Sequence, residues 1–293
     1  MAATQIAETR YIVRGFGAGI AGGVAAFVFS KIFAEPVIQQ AIDYESGRDA
    51  AHDALAKAAG AAVAPPMQDI YSRSFQGGVG IGIGLLLFGA ALGGIFSVVY
   101  VLASRRWPRV QPRPLAMYVA IGLFVALYLI PFLKYPANPP AIGHEETIRS
   151  RSELYLVMVI VSVVSLVATL VTAQRLSERF GTWNGTLLSF LGFTVVIGVV
   201  MVILPSIGHL SENLQTYGRH ATETPLPLKA PDGTIVYPGF PADVLAKFRL
   251  YSVINQIVMW GAIGLVYGPL VQRMIAGAVA KDRATAPEAA VTA

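Results

Sequence analysis

The chain contains no cysteine. Disulfides, thiolate metal centres, iron–sulfur clusters and cysteine nucleophiles are therefore excluded. Charge is scarce as well. Only 13% of the 293 residues are Asp, Glu, Lys or Arg, against about 25% in a soluble domain. There is no G-x-x-x-x-G-K-[ST] loop, so ATP hydrolysis by that route is out. His144-Glu145-Glu146 lacks the second histidine of H-E-x-x-H, and no G-x-S-x-G elbow occurs. No basic run with interleaved aromatics points to nucleic acid. An enzyme is not expected, and no catalytic residue or bound cofactor is assigned.

What the chain does have is six apolar stretches, at about 11–33, 77–102, 115–132, 154–172, 183–204 and 250–274. Each is roughly 18–25 residues long, enough to cross ~30 Å of hydrocarbon at about 1.5 Å per residue. The fold class is all-α: a polytopic membrane protein with a six-helix transmembrane bundle and three outer loops. Residues 1–275 read as one transmembrane domain in a lipid bilayer, and 276–293 as a disordered cytoplasmic tail. Arg10 and Arg14 precede the first apolar run, as in a signal peptide. That run is longer than a signal core, and Ala62-Val63-Ala64 lies too far downstream for its cleavage site. The first span is read as retained.

Arginine density sets the orientation. With both termini inside, the short inner segments hold 11 of the 22 basic residues, including Arg105, Arg106, Arg109, Arg113, Arg175 and Arg179. The inner side then holds four of the 17 acids, Glu8, Glu178, Asp282 and Glu288. The membrane is expected to be the plasma (cytoplasmic) membrane. The outer loops, about 34–76, 133–153 and 205–249, carry all four histidines: His52, His144, His209 and His220.

Each odd span meets a proline at its outer end: Pro36, Pro131 and Pro205. Proline ends or kinks a helix. Each even span follows an arginine: Arg73, Arg151 and Arg249. Lipid phosphate is the ordinary partner for such an arginine. For Arg249 a carboxylate is expected instead, from Asp243, Glu35 or Glu212. Gly15, Gly19 and Gly23 recur every four residues, as do Gly89 and Gly93. That spacing lets helix backbones approach closely in lipid, within this bundle or against a partner helix. No Asp, Glu or His lies deep in a span, which counts against a self-contained proton-driven pump. Lys31 sits near an outer end and can snorkel. Asn255 and Gln256 are expected to hydrogen-bond between helices.

The outer loops offer metal ligands. Residues 43–60 read as a short helix ending at Gly60, with Glu45, Asp49 and His52 on one face. His144 precedes Glu145 and Glu146. His209 follows Pro205, with Glu212 a turn further on. Histidine plus carboxylate suits borderline divalent ions. The candidate metal residues are His144, His209, Glu145, Glu146, Glu212 and His52. The ordinary alternative for each is a solvated loop residue. His144 and His209 would have to converge to share one ion.

Three segments resemble the cobalt transporter subunit CbtA family. One is Pro131-Phe132-Leu133-Lys134-Tyr135-Pro136-Ala137-Asn138-Pro139-Pro140 through Gly143, and a second is Leu204-Pro205 to His209. The third is Phe240-Pro241-Ala242-Asp243, then Phe248-Arg249-Leu250-Tyr251-Ser252, Gln256, Trp260, Gly264 and Gly268. The resemblance implies a membrane subunit that helps move cobalt, with Co²⁺ as the transported ion and a small His-rich companion subunit. An oligomer is left open. The competing reading is an accessory protein that docks partners through its glycine faces and transports nothing itself.

The orientation is directly testable, because an introduced cysteine is the chain's sole thiol. Ser46→Cys is expected to react with an impermeant maleimide from the outer face only. Labelling from the cytoplasmic face alone reverses the assignment.

Overall fold

In a computed structural model, residues 8–63, 70–218 and 222–285 are described. The chain is helical, with six helical stretches long and apolar enough to cross a membrane. The helices are α1 (Glu8–Phe29), α2 (Glu35–Ala58), α3 (Arg73–Phe75), α4 (Ile81–Arg106), α5 (Pro112–Phe124), α6 (Ile130–Lys134), α7 (Ile148–Phe180), α8 (Thr182–Ile203), α9 (Ser211–Tyr217) and α10 (Ala242–Thr285). A two-stranded antiparallel hairpin, β1 (Leu228–Lys229) and β2 (Ile235–Tyr237), lies between α9 and α10. Contacts group the chain into two compact units.

The first unit holds residues up to Lys31, Tyr71–Phe124 and the chain from Asn255 on. Its centre is the antiparallel pair α1–α4. A Cβ on Gly19 would run into the carbonyl of Gly89, and one on Gly93 into the carbonyl of Gly15. Lipid tails give helices no hydrophobic reason to associate, so backbone-to-backbone dispersion at such small residues supplies the attraction. The glycine face expected from spacing is therefore spent inside the protein. Residues of α10 pack on the same pair. Gly22 meets Ile263, and Tyr267 stands edge-on to Tyr100 and Phe96, with ring centroids 4.9 and 5.0 Å away. Lys31 donates to Gly77 O at 3.0 Å, so its expected snorkelling ends on a carbonyl. Asn255 Oδ1 has no hydrogen bond among the described residues, contrary to the interhelical bond expected of it.

The second unit holds Ile32–Ile70 and Val125–Ile254. α7 and α8 form a hairpin through Gly181, whose φ of +80° suits glycine. Ile130, Tyr135, Met158 and Ile197 form its buried cluster. In the apolar windows of α7 and α8 only 11% of residues are buried. Val164, Val167, Phe190, Leu191 and Val195 are all exposed. Such a surface is at home in hydrocarbon. A second cluster, Ala41, Tyr44 and Ile142 with Tyr237 and Phe240, joins α2 to the loops on the histidine-bearing side.

The prolines behave in two ways. Pro205 does stop α8: Leu204 before it is extended, with φ −70° and ψ 138°. Pro36 and Pro131 do not end their helices. A π turn, Ser30–Ala34 or Val125–Leu129, comes just before each, and helix resumes at Glu35 and Ile130. The wider turn relieves the clash between a proline ring and the carbonyl four residues back. The short helix expected at 43–60 is thus the far part of α2, which ends at Ala58 with Gly60 at φ +75°. Residues 276–285, expected in a disordered tail, continue α10 to Thr285, as their alanines favour. Residues 286–293 lie outside the described residues.

Gly19→Leu is expected to cost at least about 3 kcal/mol through overpacking, seen as a lower Tm in detergent. Gly84→Ala is the control, because a Cβ there meets nothing within 4 Å. A Gly19→Leu protein that melts like the wild type would contradict the α1–α4 contact.

Candidate functional site

The histidine-bearing side of the second unit is built on a buried carboxylate. Glu223 is 1% exposed. An ion so deep needs donors and a countercharge. Its Oε1 accepts from Thr147 Oγ1 and, at 3.0 Å, from Asn213 Nδ2. Its Oε2 lies 3.0 Å from Arg151 Nη1, an ion pair angled outside hydrogen-bond geometry. Arg151 Nη2 donates to His144 O at 3.3 Å. Thr147 and Arg151 stand at the start of α7, and Asn213 is on α9. One acid thus ties the second and third expected outer loops together.

His144 is held from three sides. Its Nδ1 is 2.6 Å from Asn213 Oδ1. Its ring stacks on Tyr217 with centroids 3.7 Å apart. Its backbone follows a tight turn in which Ala141 has φ 66° and Gly143 φ 148°. A left-handed alanine is uncommon and held at some cost in strain. At Gly143 a Cβ would sit 2.8 Å from Arg151 Nη1, so glycine makes room for the guanidinium. Arg249 fixes the preceding segment: Nε donates to Ala137 O at 3.2 Å and Nη2 to Asn138 Oδ1 at 3.0 Å. The carboxylate expected for Arg249 is not its partner. Asp243 is paired with Lys247 at 3.2 Å, one helical turn along α10. Arg151, at the entry of α7, does take an acid, Glu223.

Beside His144 is a cavity of about 220 Å³, lined by Tyr44, Glu45, Arg48, Asp49, His144 and Tyr217 among others. α2 supplies the two carboxylates, which its 3.6-residue turn sets four apart on one face. Burial pushes the Glu45 carboxyl above its ordinary value of 4.5, and the nearby carboxylates of Asp49 and Glu145 push it further. Arg48 is on the same wall, its Nη1 donating to Leu226 O at 2.7 Å. Burial pushes the Tyr217 hydroxyl above its ordinary value, and the charge of Glu146 pushes it further.

The expected ligands therefore fall into two groups. His144 lines the cavity; Glu145 and Glu146 do not, though their charges act on Glu45 and Tyr217 in its wall. His209 is exposed on the turn Ile207–His209 and does not line it. Glu212 accepts from Ser150 Oγ at 3.2 Å and Ser211 Oγ at 2.9 Å. Its own backbone N–H, then Ser211, hold its carboxyl below the usual range. His52 is exposed on α2. His220 lies outside the described residues. Among the described residues no three His, Asp or Glu side chains are grouped closely enough to hold one ion. Glu223 escaped sequence reasoning. It sits in a polar loop run with no periodicity to betray burial.

The chain matches the family described as "Probable cobalt transporter subunit (CbtA)" over residues 8–272, nearly its whole length. It belongs to that family, and is a membrane subunit of a probable cobalt transporter. No curated protein matches it, and no solved structure does.

Glu45→Gln reads out the cavity's charge. A carboxyl whose pKa is raised on folding binds its proton more tightly folded, so ionising it destabilises the fold as pH rises. The variant is expected to melt above wild type near neutral pH and to converge with it below the ordinary carboxylate value of 4.5. Equal melting at every pH would show Glu45 to be fully solvated.

Proposed function

We propose that this subunit captures Co²⁺ on the outer side of the membrane, at the cavity between α2 and the loop carrying His144. The observation that supports this best is the meeting of Glu45, Asp49 and His144, from loops about a hundred residues apart in sequence, with Glu145 alongside. Imidazole nitrogen with carboxylate oxygen is a donor set that first-row divalent ions accept. A capture site must also release its ion. Loosely placed ligands, holding a partly hydrated cation, suit that task better than a closed four-ligand cage. His209, Glu212, Glu146 and His52 form a wider shell of ligands along the approach. Both termini are cytoplasmic in this scheme, and the companion that the word subunit implies completes the path.

Protonation competes with the metal at each ligand. Because Glu45 is held up by burial, binding is expected to weaken at a higher pH than an ordinary carboxylate would dictate. The test is Co²⁺ titration of purified protein. His144→Ala and Glu45→Gln should each lose most of the affinity. Undiminished binding in His144→Ala removes the cavity from the pathway, and His209→Ala shows whether a second imidazole shares the ion. Cobalt accumulation in cells with and without the companion separates transport from a purely accessory role.

A further inference from the structure

We propose that Arg151, Glu223 and Asn213 are positioning residues that fix the proton of neutral His144 on Nδ1 and so present Nε2 as its metal-binding nitrogen. Each link follows from the one before. Arg151 has only donors, and its charge is permanent. Opposite it, at 3.0 Å, Glu223 turns its carboxylate to meet those donors as an acceptor. Glu223 Oε1 lies against the Thr147 hydroxyl, which also faces His144 O at 3.0 Å, and Asn213 Nδ2 donates to it at 3.0 Å. A carboxylate oxygen can meet an amide there only through the amide's NH₂. The same NH₂ also donates to Ile207 O at 2.9 Å. Turning the amide over would set oxygen against oxygen at both places. Asn213 therefore has one orientation, and its carbonyl faces His144 Nδ1 at 2.6 Å.

A carbonyl oxygen can only accept, so Nδ1 carries the proton. In a neutral imidazole the lone pair then belongs to Nε2. A histidine that donates its far N–H to an oxygen acceptor is the usual arrangement behind a metal ligand. It fixes the ring's tautomer and angle and raises the basicity of the other nitrogen. Stacking on Tyr217 fixes the ring plane. Asn213 is fully buried and Glu223 nearly so, so water does not scramble the order.

The proposal rests on the capture site only for what Nε2 would bind; the proton's place stands or falls alone. The full chain, with ¹⁵N in its histidine rings, is examined by long-range ¹H–¹⁵N correlation near pH 8, where imidazole is neutral. The His144 signals are assigned by their loss in His144→Gln. Wild type is expected to show the proton on Nδ1 and none on Nε2. Asn213→Leu removes the acceptor and should lose that signature, with Co²⁺ affinity falling about 10- to 100-fold. A wild-type His144 protonated on Nε2 overturns the proposal, whether or not the variants fold. So does an Asn213→Leu protein that folds and keeps the Nδ1 proton. A protonated Nδ1 in a protein that binds no Co²⁺ supports the relay and sinks the capture site instead. Co²⁺ binding with the proton on Nε2 does the reverse.

Discussion

A carboxyl almost without solvent needs donors around it, and Glu223 organises its neighbourhood on those terms. Arg151, Thr147 and Asn213 are all recruited by that one need. The consequences spread outward. Arg151 requires a glycine at 143, the turn through Ala141 and Gly143 sets where His144 emerges, and Asn213 decides how its ring is held. A buried pair of this kind adds little net stability but makes alternatives expensive. Its contribution here is specificity of arrangement: loops that could take many conformations have one in which every charge is met.

Within the spans the governing physics is different. Hydrocarbon offers no hydrogen-bond partner, so every backbone is helical and polar side chains are few. The first unit answers with glycine contacts and an aromatic cluster. In the second, α7 and α8 leave most of their apolar surface to lipid. In the second unit His144 and the cavity beside it lie outside the apolar runs.

The spans were readable because a run of some twenty apolar residues has few alternatives. The same holds for the Gly15, Gly19 and Gly23 face, since spacing every four residues on a helix is a geometric statement. The loops were not readable to that depth. His144 was found by residue type, yet its principal partners lie 69 and 73 positions away, at Asn213 through a direct bond and at Tyr217 through its ring. Local pattern carries no trace of such pairings. Arg249 shows the opposite failure. Asp243 lay at a plausible distance along the helix, but Lys247 was a nearer match, and the guanidinium went to Ala137 and Asn138. Pro36 and Pro131 looked like stops because the rule for proline assumes an α-helix, and a preceding π turn suspends it.

The turn at Gly181 bears on how the two long helices can respond to change. α7 ends at Phe180 and α8 begins at Thr182, so a single residue joins them. With so short a turn they can only run antiparallel and side by side. A substitution that displaces one helix near this end therefore displaces the other with it.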